Sequence, residues 1–348
     1  MQNVRIVNIV GRRNEMKRTL YIFQNGELRR KDHSLYFETE GRKKYIPVEN
    51  TSDIYIFGEV DVSKRFLEFA SQKQIIVHYF NHYGYYVGSF YPREHLNAGH
   101  VILKQAEHYL DGGKRLNLAR RFIEGSIQQM SRVLKYYRSR LEVKDVFDNV
   151  LHDFEKESLL LSDVQSVEQL MASEGHMREK YYSTFDTIIR HPDFVFEKRT
   201  KRPPHNRLNA LISFGNSIVY TMCLSEIYKT YLDPRIGFLH STNFRRFSLH
   251  LDVAEIFKPI IVDRLIFSLI NKKMLAKKHF DKLTDGILLS EEGRKIFVSE
   301  LEKKMQTTVQ HRHLGKSVSY RRLIRLELYK IQKHLLGEKE YEPYAAKW

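Results

Sequence analysis

Apolar and polar positions change rhythm once along this chain. From residue 17 to about 92 the apolar residues come in short runs and alternations, the spacing of strands. From about 100 onward they recur every three or four residues, the spacing of helices. In the first stretch, Thr19-Leu20-Tyr21-Ile22-Phe23 and Glu27-Leu28-Arg29-Arg30 flank Asn25-Gly26. Asn-Gly suits a tight turn that needs positive φ at both positions, so this spacing predicts a β-hairpin. Leu35 to Glu38 and Lys44 to Val48, either side of Gly41, predict a second hairpin. Asp53 to Gly58, Gln74 to Phe80 and Tyr85 to Phe90 read as further strands. Val62 to Ser71 reads as a helix, with Phe66, Leu67, Phe69 and Ala70 on one face. In the second stretch, amphipathic helices are predicted over Val101 to Leu110, Leu116 to Arg140 and Ser166 to Ile189. Others follow over Arg207 to Tyr231, Val253 to Asn271 and Tyr320 to Leu336. Gly112-Gly113, Pro203-Pro204, Asp233-Pro234 and Gly286 mark joints, and no internal repeat interrupts the pattern. The expected fold class is α+β. A small N-terminal β-rich domain over 1–93 leads through a linker at 94–100 to a larger all-α domain over 101–348. Residues 1–15 are either a short strand or an upstream extension.

Composition adds a partner to this picture. Hydrophobic residues make up 42% and aromatics 12% of the 348, which supports sizeable cores and excludes the disordered class. Lys plus Arg is 58 against 42 for Asp plus Glu, a net +16, so the favoured partner is a polyanion: nucleic acid or an acidic membrane surface. No convincing basic amphipathic helix with exposed apolar residues supports the membrane alternative. Cys223 is the single cysteine, so no intrachain disulfide forms, as suits a reducing cytoplasm. The N-terminus lacks a signal-peptide core. The most apolar window, Leu208 to Leu224, contains Asn209, Ser213, Asn216 and Ser217 and is shorter than the ~20 residues of a spanning helix. It is expected to be a buried core helix, and the protein to be soluble and cytoplasmic.

Phosphate-binding loops, dinucleotide fingerprints, His-Glu-x-x-His and paired zinc cysteines are all missing. What remains lies in the helical half. Asp252 and Glu255 are three apart and so share a helix face. Taken alone, that pair suits a solvated helix start as well as a site. His240 closes the apolar run Ile236 to Leu239, and a histidine there commonly satisfies a buried hydrogen bond. Glu174 stands four before Arg178, the spacing of a plain salt bridge. Brought together, two glutamates, an imidazole and a nearby aspartate would suit a divalent ion, Mg²⁺ or Mn²⁺. Sequence separation alone does not bring them together.

Several phrases do point to a family. Arg207 to Ser217 resembles a signature helix of the CRISPR-associated adaptation integrases. Gly237-Phe238-Leu239-His240 followed by Ser248 to Pro259 is similar to that family's core motif. Glu174-Gly175 with Arg178 and Tyr181 resembles its glutamate motif. The likeness runs over nearly the whole chain from Met16. Two departures are Asn216, where tyrosine is usual, and Lys258, where arginine is usual. The former is read as a subfamily mark, and the resemblance as a whole implies a type I subfamily.

The resemblance implies a metal-dependent DNA endonuclease and integrase. Such an enzyme joins the 3′-hydroxyl ends of captured double-stranded fragments to the boundary of a CRISPR repeat by transesterification. It carries the ligand role to Glu174, His240 and Glu255, with Mg²⁺ or Mn²⁺ between them. Asp252 becomes either a further ligand or a group beside the site. It also implies a homodimer formed through the β domain, and a heterohexamer with a small ferredoxin-like adaptation partner. Arg245 and Arg246, between His240 and Asp252, are the first candidates for phosphate contact. Arg178, Lys201, Arg202, Arg207 and Lys258 come next. The competing reading is a non-catalytic DNA scaffold on the same fold.

Overall fold

The computed structural model describes residues 17–93, 96, 98–240, 247–311 and 315–346. The chain divides into two compact units: Met1–His95 with Arg294–Lys303, and Leu96–Gly293 with Lys304–Trp348.

The first unit begins with β1 (Arg18–Ile22), β2 (Gly26–Lys31), β3 (Ser34–Thr39), β4 (Arg42–Ile46), β5 (Thr51–Ile56) and β6 (Val60–Val62). It continues with α1 (Lys64–Gln72), β7 (Ile76–Phe80) and β8 (Tyr86–Phe90). Among the described residues these strands make two four-stranded sheets, in the orders β1-β5-β7-β8 and β4-β3-β2-β6. The predicted second hairpin is present, since β3 pairs antiparallel with β4. The first is not. β1 runs parallel to β5 while β2 enters the other sheet, so Asn25-Gly26 is a crossing between sheets. Its hydrogen bonds go elsewhere: Gly26 N donates to Glu59 O, and Asn25 Oδ1 accepts from Glu59 N. A side chain at Gly26 would lie 2.3 Å from Glu38 O, so close backbone approach requires glycine there.

The reason lies in burial. All six residues of β5 are buried, the mark of a parallel strand covered on both faces. On one face Leu20, Ile22, Ile54, Ile56 and Val77 pack into a core with Leu28, Leu35, Phe37 and the α1 residues Phe66 and Phe69. On the other, the buried Tyr21 donates its hydroxyl to Glu302 Oε1 at 2.8 Å. That cover comes from Arg294–Lys303, a segment sequence reading did not assign to this unit.

The second unit is helical. It contains α2 (Gly99–Leu110), α3 (Gly112–Arg138), α4 (Asp145–Leu160), α5 (Val167–Ser183), α6 (Phe185–Ile189), α7 (Arg207–Tyr228), α8 (Leu249–Lys258) and α9 (Arg264–Asn271). The short hairpin β9 (Phe280–Lys282) and β10 (Ile287–Leu289) precedes α10 (Glu291–Gln306), whose stretch Arg294–Lys303 belongs to the first unit. Then come β11 (Thr308–His311), β12 (Lys316–Ser319) and α11 (Tyr320–Leu335).

Two predicted helices are broken. Ser166 to Ile189 splits at the buried Thr184, whose hydroxyl donates back to Tyr181 O at 2.7 Å. Such back-bonding bends helices. Val253 to Asn271 splits at Pro259, which has no N–H to donate, and one π-turn over Pro259–Asp263 joins α8 to α9. α7 is long and apolar enough to cross a membrane by length and composition, yet 89% of its most apolar window is buried inside the structure. It is a core helix, apolar all round because it is surrounded. α8 packs on both α3 and α7, which sets the site.

Candidate active site

Three helices of the second unit converge on one guanidinium. On α5, Glu174 and Arg178 sit one turn apart on the same face. Arg178 Nη2 donates to Glu174 Oε1 at 2.9 Å, to Glu255 Oε2 on α8 at 2.5 Å and to Ser126 Oγ on α3 at 3.0 Å. Its Nε adds a second bond to Glu174 Oε1 at 3.0 Å. From the other side, Lys258 Nζ donates to Glu255 Oε1 at 2.5 Å and to Tyr220 OH on α7 at 3.3 Å. Glu255, Lys258 and Arg178 are all buried. Burial pushes the Glu255 carboxyl pKa up, but Lys258 and Arg178 outweigh it and hold the pKa below the ordinary value. Burial likewise opposes charge on Arg178 and Lys258, and the glutamates keep both cations well ionised. A buried carboxylate is tolerated here because each of its oxygens meets a cation.

His240 enters beside this cluster. The carboxylate of Asp252 accepts the backbone N–H groups of Phe238, Leu239 and His240 at 2.6, 3.1 and 2.9 Å. His240 Nδ1 stands 2.8 Å from Asp252 Oδ1. An ionised carboxylate only accepts, so Nδ1 is the protonated nitrogen and Nε2 keeps its lone pair. A side chain at Gly237 would come within 2.8 Å of Asp252 Oδ2 and of the backbone carbon of Ser248, so glycine is what lets this turn close on the carboxylate. Burial disfavours the imidazolium of His240, and Asp252 more than compensates, raising its pKa above the ordinary 6.5. Through Asp252, His240 is joined to α8 three residues before Glu255. The nearby His250 is pushed down to about 3 by burial and by His240, and stays neutral.

The family model described as CRISPR associated protein Cas1 matches residues 20–303. A relative in Thermodesulfovibrio yellowstonii, a CRISPR-associated endonuclease Cas1, is 58% identical over 334 residues, 96% of this chain and 100% of that one. The chain belongs to the Cas1 family. The solved structure of a Cas1 protein from Thermotoga maritima superposes with a TM-score of 0.85 at 48% identity, covering 94% of this chain and 99% of that one. A casposase bound to its integration product shares the fold at a TM-score of 0.83 and 21% identity, over 94% of this chain and 93% of that one. The expected fold class therefore holds for this Cas1 chain.

The residues singled out in the Cas1 sequence are placed differently by the fold. Glu174, Glu255, His240 and Asp252 lie in one neighbourhood, but the glutamates meet on Arg178 rather than on each other. Among the described residues no three His, Cys, Asp or Glu side chains stand close enough to hold a metal ion together. Arg178 and Lys258, expected at phosphates, are buried and spent on the glutamates, because uncompensated carboxylates there would be costly. Arg207 is tied to Asp193, through its carbonyl at 2.9 Å and its carboxylate at 3.8 Å. Lys201 and Arg202 are exposed. Local burial, with Arg199 and Lys258, lowers the Lys201 pKa, while Glu174 and Glu255 pull the other way, so Lys201 stands near the site. Arg245 and Arg246 lie outside the described residues. Ser126, Tyr220 and His250 escaped the sequence reading. Ser126 carries no local signal, because its link to Arg178 spans 52 positions.

Proposed function

We propose that the chain is a metal-dependent DNA endonuclease and integrase of CRISPR adaptation, joining 3′-hydroxyl ends to a repeat boundary by transesterification. As a Cas1 family member it is an enzyme of the endonuclease and integrase type. The observation that carries the mechanistic reading is that Glu174 and Glu255 are held by one guanidinium, Arg178, and His240 by Asp252. Two carboxylates and an imidazole are the donor types that suit a hard divalent ion, Mg²⁺ or Mn²⁺, and His240 offers Nε2 because Asp252 holds Nδ1, although among the described residues the three donors are not gathered closely enough to hold an ion together. A divalent ion bound by Glu174, His240 and Glu255 would polarise the phosphodiester and stabilise developing charge.

The protein's own groups do the rest. Asp252 fixes the tautomer and plane of His240 and acts as a positioning group, its oxygens being taken by three N–H groups and the ring. Arg178 bonds to both Glu174 and Glu255 and favours the ionised form of Glu255. Lys258 does the same for the second oxygen of Glu255. Lys201, Arg202, Arg245 and Arg246 are the cations assigned to the DNA backbone, in keeping with the net charge of +16. With water in place of the 3′-hydroxyl, the same chemistry is cleavage. The partners in this reading are double-stranded DNA, a second copy of the chain through the β-rich unit, and a small ferredoxin-like adaptation protein in a heterohexamer. The compartment is the cytoplasm.

One observation favours a second reading, a DNA-binding scaffold without catalysis: both oxygens of Glu255 already rest on protein cations. Mn²⁺ titration followed by electron paramagnetic resonance separates the two. An enzyme binds an ion that Glu255→Gln and His240→Ala each weaken, and nicks DNA only when it is bound. A scaffold binds DNA equally well and shows no ion that depends on these residues.

A further inference from the structure

The chain's last described residues, 338–346, return across the helical unit instead of trailing from it. α11 ends at Leu335, and Gly337 just beyond it, with a φ of 73°, reverses the chain. Tyr341 is then buried, its ring 5.5 Å from that of Phe122 on α3 and its hydroxyl donating to Glu327 Oε1 at 2.7 Å. The same buried oxygen accepts Tyr344 N at 2.9 Å. Gln129 on α3 then grips the segment as a strand would. Its Nε2 donates to Tyr344 O, and its Oε1 accepts Ala346 N at 3.3 Å. The Tyr344 ring lies parallel to Phe257 of α8, with centroids 6.1 Å apart.

These contacts adjoin the site without entering it. On α3, Gly125 is neighbour to Ser126, the residue bonded to Arg178. A Cβ at Gly125 would lie 2.7 Å from Pro343 and 3.1 Å from Ile256, so α3, α8 and the C-terminal segment meet there with no room to spare. On α8, Ile256 and Phe257 follow Glu255 directly, and Phe257 lies about 200° round the helix from it. Glu255 thus faces Arg178 while its helix is pressed from behind by the segment. Packed interiors transmit such displacement, since they have few voids to absorb it.

We propose that Tyr341–Ala346 is a positioning strap that seats α8 against α3 and so sets the distance between Glu255 on α8 and the Arg178–Ser126 pair. The effect on joining rests on the catalytic reading above. The effect on α8 itself does not.

The test uses the full chain with substitutions confined to the strap. Tyr341→Ala with Tyr344→Ala removes its anchors, and Tyr341→Phe with Tyr344→Phe keeps the rings. Backbone hydrogen exchange over Leu249–Lys258 is expected to quicken about tenfold or more in the alanine pair, with the β-rich unit unchanged and the phenylalanine pair close to wild type. For strand joining, kcat is expected to fall about tenfold with KM for DNA within about twofold, because geometry is lost and binding is not. If the double variant does not fold, Tyr344→Ala alone, at a half-buried position, carries the same expectation in smaller degree. Unchanged α8 exchange in the folded variants would overturn the strap. So would exchange that quickens equally in every helix of the unit, which marks general destabilisation. A wild-type protein that joins no DNA would defeat the catalytic reading and leave the exchange result to decide the strap.

Discussion

Arg178 places three acceptors on one nitrogen, and two of them are carboxylates from different helices. Removing it leaves buried Glu255 with Lys258 alone. Arg178→Met should cost about 3–5 kcal/mol of stability in the metal-free protein, the usual effect of deleting one partner of a buried pair. Urea unfolding reads this directly, and a loss below about 1 kcal/mol would mean that the glutamates do not depend on it. Asp252 is open to a cleaner test. Its carboxylate stabilises the imidazolium of His240, whose pKa is raised above 6.5 against the effect of burial. A raised histidine adds stability below the unfolded pKa and loses it as pH rises through the folded one. In metal-free protein, nuclear magnetic resonance should find the His240 midpoint above 6.5, and Asp252→Asn should bring it below. The same midpoint in both proteins would remove Asp252 from control of His240.

Among helices, a buried ion pair ties α7 to α11. Buried Glu226 on α7 receives Arg325 Nε of α11 at 2.6 Å and Lys229 Nζ at 3.1 Å. Burial raises the Glu226 pKa, but Lys229 and Arg325 together hold it below the ordinary 4.5. A depressed carboxyl contributes stability above its unfolded pKa and loses it as pH falls through the folded value. Stability should therefore decline below about pH 4.5. Glu226→Gln should flatten that decline, and Arg325→Ala should cost about 2 kcal/mol at neutral pH. A Glu226→Gln protein with the same acid transition would contradict this. The same helices show what the sequence could and could not tell. α7 was legible because the window Leu208 to Leu224 carries no charged residue and is mostly apolar, which suits a core. The break between α8 and α9 was half legible in Pro259. The Asn25-Gly26 crossing was not legible, because a turn signal states local geometry and says nothing about which sheet the next strand joins.

For the molecule as a whole, the division into a β-rich and a helical part was readable from the change of period near Pro92. The inclusion of Arg294–Lys303 in the first unit was not, since a helix covering a distant sheet carries no local mark. The site shows the same boundary. Asp252, Glu255 and Lys258 announce one face of α8 by spacing, and Glu174 with Arg178 one face of α5. That the faces meet through Arg178, 77 positions from Glu255, is a fact of packing. It also gives Arg178 and Lys258, expected at DNA, partners in the glutamates. The claim that joins these parts is metal-dependent strand joining at Glu174, His240 and Glu255. The measurement that meets it most directly is transfer of a labelled 3′-hydroxyl duplex into a repeat-containing plasmid, with Mn²⁺ and the adaptation partner, comparing wild type with His240→Ala. The account predicts joining that requires the metal and disappears in the variant while DNA binding survives. Equal joining by both proteins would contradict it.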